Sequence, residues 1–229
     1  MQLLRRAICA AALLTLGGIV SAAPVAPKEG VHYKVLPQKM DTPAGKQVEV
    51  IEFFAYSCPH CNVFEPVLAA WVKKQGDNIA FKRVHVAAGQ RALPQLRLFA
   101  TLEALGLTEQ YHGKVFAAMH QQGVRFADDD EVFAWAAKAG IDRARFTDAY
   151  GSMGVQSRVR RAAAMMNDYR VDHWPFVAVD GRFVTSPSMA NPDESHNHGA
   201  QSELEQQQVA LQVMDALVEK AKAAKADKK

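Results

Sequence analysis

The segment from Val48 to Cys61, with the sequence VEVIEFFAYSCPHC, decides the fold. Its first seven residues are mostly β-branched or aromatic, which predicts a buried central strand. From Pro59 onward the apolar residues recur at the i, i+4 spacing of a helix, and Gly76 ends that run. A cysteine pair, Cys58 and Cys61, therefore lies where a buried strand ends and a helix begins.

This position predicts redox chemistry. Two intervening residues at the start of a helix bring the two sulfur atoms close enough to form a disulfide. Unpaired backbone N–H groups and the positive end of the helix dipole lower the pKa of the Cys58 thiol. Because a stabilised thiolate stabilises the reduced form, the disulfide becomes a stronger oxidant. We expect Cys61, one turn into the helix, to be buried and protonated until it resolves a mixed disulfide.

The two residues between the cysteines favour the same chemistry. Pro59 suits the first helical turn because its missing N–H would have lacked a partner. His60 adds a donor or a positive charge that faces the first sulfur, which lowers its pKa further.

Two other interpretations of the pair stay open. A structural disulfide has the same spacing, although most such bridges do not cap a helix directly after a central strand. A metal site would use Cys58, His60 and Cys61, but zinc needs a fourth ligand. The sequence offers His196 and His198 for that position.

The composition of the 229 residues is that of an ordinary globular protein, with 49% hydrophobic and 22% charged residues. This excludes a collagen-like, low-complexity or wholly disordered chain. The formal net charge of +3 is too balanced to indicate a nucleic-acid partner. Three cysteines are too few for a disulfide scaffold.

The amino terminus predicts export. Two arginines, an apolar run from Ala7 to Val20 and a cluster of small residues give the order of a secretory signal peptide over residues 1–22, cleaved after Ala22. The apolar run is shorter than the ~20 residues of a membrane-spanning helix, which disfavours the alternative of an uncleaved anchor. Cleavage also removes Cys9, and a mature chain with one close cysteine pair is typical of an oxidising compartment.

Further strands are predicted on both sides of the central segment. Alternation over residues 31–36 predicts an edge strand, and apolar runs at 79–86 and 176–179 predict two more strands. The dipeptide Asp180-Gly181 is typical of a hairpin turn, which leads into a strand at 182–184.

Between these strands the pattern is helical. The predicted helices, separated by glycines, cover residues 91–105, 109–121, 130–139 and 152–169. The acidic run from Asp128 to Glu131 is interpreted as an N-cap and first turn rather than a metal site. Ser202 with Glu205 predicts a capping box for a last helix that runs to about Lys220.

The order of elements predicts an α/β core with one helical insertion. We divide the chain after the signal into a first half of the core at 23–89, a helical insertion at 90–170 and a second half at 171–222. Residues 223–229 are expected to form a frayed, solvated tail.

The stretch from Phe53 to Cys61, FFAYSCPHC, resembles the active-site strand and helix start of the DsbA family of periplasmic thiol:disulfide oxidoreductases. The resemblance extends over nearly all of the chain after the signal and includes the helical insertion and a proline just before the third strand. It implies a thioredoxin fold with a helical domain inserted between a βαβ half and a β-hairpin-α half.

The resemblance also implies roles for the cysteines and their neighbours. Cys58 resembles the family's exposed nucleophile and Cys61 its resolving thiol. Pro59 and His60 resemble the dipeptide that sets the redox poise. Glu52 matches an acid buried beneath the pair that relays a proton to Cys61; its alternative is a strand glutamate on a solvated face.

On the other side of the site, Pro175 matches the family's cis-proline opposite the disulfide. Trp174 stands where the family usually has a small valine or threonine. The backbone of that residue would pair with an extended substrate peptide as an added strand. The alternative for its side chain is plain core packing.

The function that the resemblance implies is oxidation of protein dithiols in the periplasm. The Cys58–Cys61 disulfide would pass to newly exported proteins with free cysteines, and a DsbB-like, quinone-linked membrane partner would restore it. No cofactor beyond that disulfide and no metal is expected, and we expect a monomer.

Three alternatives to this function remain. The first is a disulfide isomerase or reductant of the same superfamily. Its isomerases carry an N-terminal dimerisation domain, whereas only about twenty-five residues lie between the predicted signal and Val48. The second is a copper or zinc carrier, and the third is a holdase without redox turnover.

Overall fold

The computed structural model describes residues 26–43, 45–86, 88–191 and 200–226. The predicted signal peptide at 1–22 and the two histidines His196 and His198 lie outside these ranges.

The described residues form one five-stranded mixed sheet with the order β1-β5-β4-β2-β3. Strand β2 pairs in parallel with β3 and antiparallel with β4, and all seven of its residues are buried. The predicted central strand is therefore confirmed. The strands have the bounds Lys34–Val35 (β1), Val48–Phe54 (β2), Ile79–His85 (β3), Phe176–Val179 (β4) and Phe183–Thr185 (β5).

Eight α-helices lie within the described residues. Their bounds are Pro59–Gln75 (α1), Leu93–Ala104 (α2), Thr108–His120 (α3), Asp129–Lys138 (α4), Arg143–Tyr150 (α5), Met153–Asp168 (α6), Pro187–Ala190 (α7) and Ala200–Ala226 (α8). Helices α2 to α6 lie between β3 and β4 in the chain. The predicted fold, a thioredoxin core with a helical insertion, is confirmed.

The sequence did not predict α5. Asp142 begins this helix by accepting a hydrogen bond from the N–H of Arg145, and only Phe146 and Tyr150 are buried. Two apolar positions in eight residues give too weak a periodic signal to recognise. The short helix α7 was missed for the same reason.

The structure confirms the N-cap predicted at Asp128 and the hairpin turn predicted at Asp180-Gly181. The side chain of Asp128 accepts a hydrogen bond from the N–H of Glu131 at 2.9 Å, which makes it the N-cap of α4. Asp180 and Gly181 both have positive φ angles, 52° and 63°, as a hairpin turn requires. A Cβ at Gly181 would clash with the carbonyl oxygen of Met40, so only glycine fits there.

The last helix differs from its prediction at both ends. It begins at Ala200, before the capping box predicted at Ser202, and continues to Ala226. The tail was predicted to be frayed from residue 223, but it is helical as far as Ala226. The side chain of Lys225 contacts groups outside the helix and so stabilises this last turn. The ammonium group of Lys225 lies 3.0 Å from a carboxylate oxygen of Asp180 and donates to the carbonyl of Gln47.

Successive residues of a strand point to opposite faces of the sheet, and in this protein helices cover both faces. Val48 and Val50 of β2 pack in one apolar cluster with side chains of α1 and α8, such as Leu68 and Leu217. Ile51 and Phe53, on the other face, belong to a second cluster with the insertion helices, and Phe54 at the end of the strand joins that cluster. No helix of the described chain is both long enough and apolar enough to span a membrane.

Candidate active site

Strand β2 and the turn after it bring Cys58 to the start of α1. The N–H of Cys58 donates to the carbonyl of Ala55, and its extended backbone makes Cys58 the N-cap of the helix. Its Sγ accepts a hydrogen bond from the backbone N–H of Cys61 at 3.2 Å, and Pro59 occupies the first turn. The sulfur thus satisfies an N–H group that the helix start would otherwise leave unpaired.

This geometry separates the two thiols electrostatically. The hydrogen bond from the Cys61 thiol, and then the Cys61 N–H and the charge of His60, lower the pKa of Cys58 from 9 to about 7, although burial opposes them. Burial and the neighbouring Cys58 raise the pKa of Cys61. Cys58 is therefore the more acidic thiol and Cys61 the one that keeps its proton.

Both cysteines are free thiols, and they differ in access. Cys61 is 0% exposed and Cys58 is 7% exposed. Cys58 is thus less accessible than the exposed nucleophile that the sequence predicted, because the backbone of Trp174 lies over it. The Cys58 thiol donates to the Trp174 carbonyl with an S···O distance of 3.6 Å.

The Trp174–Pro175 peptide bond is cis. Because the Trp174 carbonyl accepts the hydrogen bond from Cys58, this peptide bond lies beside the nucleophile, at the position that the resemblance implied. The Trp174 side chain is half-buried and packs against the apolar cluster shared with the insertion. Both sequence interpretations of Trp174 thus have a physical basis: its backbone contacts the site, and its side chain packs in the core.

His60 faces solvent, with 70% of its side chain exposed. Its Nδ1 lies 2.8 Å from Oε1 of Glu203, in the first turn of α8. The positive charge of His60 lowers the pKa of Cys58, as predicted, but the contact with α8 was not foreseen.

A polar cluster lies buried beneath the cysteines; we call Glu52, Arg83, Glu65 and His112 the buried polar cluster. Glu52 is 1% exposed, so the alternative of a glutamate on a solvated face is wrong. Burial raises its pKa to about 8, while Arg83 opposes that rise. Glu52 is close enough to Cys61 for its charge to raise the pKa of that thiol.

Arg83 is the cation of this cluster. Its Nε lies 3.3 Å from Glu52 Oε2, and its Nη2 donates to both carboxylate oxygens of Glu65, at 2.8 and 3.1 Å. On the far side of Glu65, Nε2 of His112 lies 3.3 Å from Oε2. The other ring nitrogen of His112 is 3.0 Å from the Tyr56 hydroxyl, two residues before Cys58.

Sequence reasoning missed three members of this cluster. Glu65 had a usable signal, since it follows Cys61 by four residues and so lies on the same face of α1. Arg83 is directly opposite Glu52 in the β2–β3 register, which becomes visible only once the strand pairing is known. His112 lies on α3, and nothing in its local sequence connects it to the cysteines.

The metal alternative depends in part on residues outside the described ranges. Within the described ranges, no group of three or more histidine, cysteine, aspartate or glutamate side chains is arranged to hold a metal ion. The additional ligands proposed from sequence, His196 and His198, lie outside those ranges.

A thioredoxin core, a Cys-x-x-Cys pair at the start of its first helix and a cis-proline beside the nucleophile together define a class, the thioredoxin-fold protein disulfide oxidoreductases. Within that class, residues 49–196 match the family model described as a DSBA-like thioredoxin domain. The chain belongs to the DsbA family.

Individual relatives agree. The chain is 44% identical over 184 residues to the thiol:disulfide interchange protein DsbA of Burkholderia cepacia. The aligned residues cover 78% of this chain and 86% of that protein. It is 37% identical over 191 residues to the DsbA of Bordetella pertussis, covering 82% and 88%. The crystal structure of Pseudomonas aeruginosa DsbA superposes with a TM-score of 0.75 at 26% identity, covering 87% of this chain and 97% of that one. The chain is a thiol:disulfide interchange protein and acts as a protein disulfide oxidoreductase.

Proposed function

We propose that the chain oxidises dithiols of newly exported proteins in the periplasm by transferring its own Cys58–Cys61 disulfide. The observation that carries this proposal is the contrast between the two thiols: the hydrogen bonds from the Cys61 thiol and N–H lower the pKa of Cys58 to about 7, while burial raises that of Cys61. A thiolate that is stable after reduction makes the disulfide easier to reduce.

The reaction has two exchange steps. A substrate thiolate attacks the Cys58 sulfur, which breaks the Cys58–Cys61 bond and forms a mixed disulfide. A second substrate thiolate then attacks the substrate sulfur and expels Cys58 as a thiolate. Two electrons pass from the substrate dithiol to the cysteine pair, and the substrate leaves as a disulfide.

We assign Glu52 the role of proton donor to Cys61. When Cys61 leaves as a thiolate in the first step, it is fully buried and needs a proton. Glu52 lies nearby, and its raised pKa of about 8 keeps it protonated at neutral pH. A general acid is effective when its pKa is close to the working pH.

Substrate binding is assigned to the segment at Pro175. Because the Trp174 carbonyl already accepts a bond from the Cys58 thiol, this backbone lies beside the atom that the substrate must reach. An extended peptide bound there by backbone hydrogen bonds would present its cysteine to Cys58. The Trp174 side chain would limit which residues the substrate carries next to that cysteine.

The remaining parts of the proposal concern export and turnover. A signal peptide at residues 1–22 would deliver the protein to the periplasm, where it would act as a monomer. Each turnover leaves both cysteines reduced, so a membrane partner linked to quinone, of the DsbB kind, must take up two electrons and restore the disulfide.

The test uses a reduced, unfolded protein with two cysteines as substrate. We expect the oxidised enzyme to convert it to its disulfide form in stoichiometric amount. Cys58→Ser abolishes the reaction, whereas reduced Cys61→Ser, mixed with a substrate disulfide, accumulates a mixed disulfide at Cys58. Equilibration with a glutathione buffer should leave the enzyme mostly reduced at a poise where thioredoxin-like reductants stay oxidised.

Two outcomes would overturn the proposal. An enzyme that keeps its disulfide against that glutathione buffer is a reductant or isomerase. Stoichiometric, tight copper or zinc in the reduced protein, lost in Cys58→Ser, supports the carrier instead.

A further inference from the structure

The buried polar cluster holds two carboxylates on one cation. Arg83, with 9% of its side chain exposed, contacts both Glu52 and Glu65. Its further contact, Glu109 at 3.8 Å, is 95% exposed and is screened by solvent. Glu52 is buried and Glu65 is partly buried, so two carboxylates against one arginine leave an unpaired negative charge when both are ionised. The site therefore favours retention of one proton.

The position of His112 decides which carboxylate keeps that proton. Its side chain is nearly fully buried and bridges Tyr56 and Glu65. The Tyr56 hydroxyl lies 3.0 Å from Nδ1 of His112 and keeps its hydrogen, because burial raises the pKa of Tyr56 well above 10. We assign the hydrogen of the neutral imidazole to Nε2, because this nitrogen faces the carboxylate of Glu65, which can only accept; the Tyr56 hydroxyl then donates to Nδ1.

Glu65 is therefore contacted by nitrogen atoms from two sides. Arg83 donates to both of its oxygens, and Nε2 of His112 lies 3.3 Å from Oε2, an electrostatic contact that does not have hydrogen-bond geometry. Glu52 has only the Nε of Arg83 at 3.3 Å and is more deeply buried. The asymmetry of donors keeps Glu65 ionised and leaves the proton on Glu52.

We propose that His112, on the helical insertion, is a positioning residue for the thiol–disulfide reaction: it holds Glu65 ionised and thereby assigns the shared buried proton to Glu52, the acid beside Cys61. This inference rests on the proposed role of Glu52 and extends it to a residue from another part of the chain. The insertion, on this view, sets the protonation state beneath the cysteines in addition to covering the sheet.

All charged groups around His112 fit this assignment. Glu65 on α1 favours a hydrogen on the ring, and the exposed Glu109 on α3 acts in the same direction. Burial is the largest influence on His112 and lowers its pKa, and the charge of Arg83 on β3 acts in the same direction. Both oppose a second hydrogen on the ring. His85 on β3 is neutral, because its Nε2 accepts a bond from the N–H of Tyr56 while Nδ1 bonds to the Val86 carbonyl.

The experiment compares two amides of different reach. In His112→Gln, the side-chain amide reaches the position of Nε2 and keeps an N–H group facing Glu65. In His112→Asn, the shorter amide reaches only the position of Nδ1 near Tyr56. Both variants stay polar, and His120→Asn below controls for the shorter side chain of asparagine, so a difference between the two His112 variants reports the N–H group that faces Glu65. His120→Asn is the matched control, since His120 on α3 donates to the Tyr56 carbonyl at 2.7 Å.

The measurement is a pH titration of the reduced, full-length protein with ¹³C-labelled glutamate, followed by NMR at the side-chain carboxyl carbons. In the parent protein, the high titration belongs to Glu52, with a midpoint of about 8. In His112→Asn, both Glu52 and Glu65 report this titration, and the midpoint rises by about 0.3 pH unit or more because two sites share one proton. His112→Gln and His120→Asn titrate like the parent.

The proposal is overturned if His112→Asn leaves the high titration on Glu52 alone with an unchanged midpoint. It is also overturned if His112→Gln and His112→Asn behave alike. The titration requires no oxidase activity, so its result is independent of the function proposed above. That function is tested separately by Glu52→Gln, which should slow formation of the mixed disulfide and leave substrate binding unchanged.

Discussion

The start of α1 and the buried polar cluster act on the same cysteine pair at different depths. At the helix start, Cys58 is stabilised by the Cys61 thiol, by backbone N–H groups and by an exposed histidine, all within three residues of it. In the buried polar cluster, the four polar side chains come from two strands and two helices and are nearly closed to solvent.

The difference between these regions is one of dielectric screening. Charge at the helix start is partly screened, and a substitution there changes one hydrogen bond or one exposed charge. In the cluster, removal of one member leaves another charge buried without a partner, which is costly. Substitutions in the cluster should therefore affect folding as well as chemistry, whereas substitutions at the helix start should affect chemistry.

Removal of the central cation is the strongest test of this contrast. We expect Arg83→Met to lower the free energy of unfolding by about 3–5 kcal/mol, since Glu52 and Glu65 then lose their shared buried cation. Denaturant unfolding of the oxidised protein measures this loss. The control is Arg97→Met, which removes an arginine 39% exposed and paired with Asp129, and should cost about 0–1 kcal/mol. Equal losses in both variants would refute the contrast.

The two regions also differed in how well sequence predicted them. The strand, the helix start and the cysteine chemistry follow from contiguous residues, because the period of apolar residues and the position of Cys58 are local signals. The cluster depends on strand pairing, which sets Arg83 opposite Glu52, and on packing of the insertion, which brings His112 to Glu65. No local pattern contains that information.

The opposite pH dependence of the two regions gives a second test. The pKa of Cys58 is lower in the folded, reduced protein than its ordinary value, so the unfolded chain binds the extra proton between pH 7 and 9. The reduced form therefore gains stability as pH rises through this window, by about 3 kcal/mol, and loses that gain as pH falls through 7.

The sign for Glu52 is reversed. Its folded-state pKa of about 8 exceeds its ordinary value, so the folded protein binds the proton and loses stability as pH rises towards 8. The oxidised form keeps the Glu52 effect and lacks a Cys58 thiol. The difference in unfolding free energy between reduced and oxidised protein, measured from pH 5 to 9, should consequently rise only above about pH 7. A pH-independent difference contradicts the assignment of Cys58 as the acidic thiol.

The smallest effect is expected at the solvent-exposed edge of the helix start. His60→Gln should raise the pKa of Cys58 by a fraction of a pH unit, because the His60 charge ranks below the hydrogen bonds from Cys61 among the influences on that thiol. The pH dependence of Cys58 alkylation in the reduced protein measures the shift. Glu203→Gln keeps the His60 ring in reach of a polar partner and removes only the charge of that partner. If the α8 contact serves only to orient the ring, Glu203→Gln shifts the alkylation profile less than His60→Gln does. A larger shift would mean that the carboxylate itself tunes the thiol, so that the carboxyl-terminal helix contributes a charge to the site.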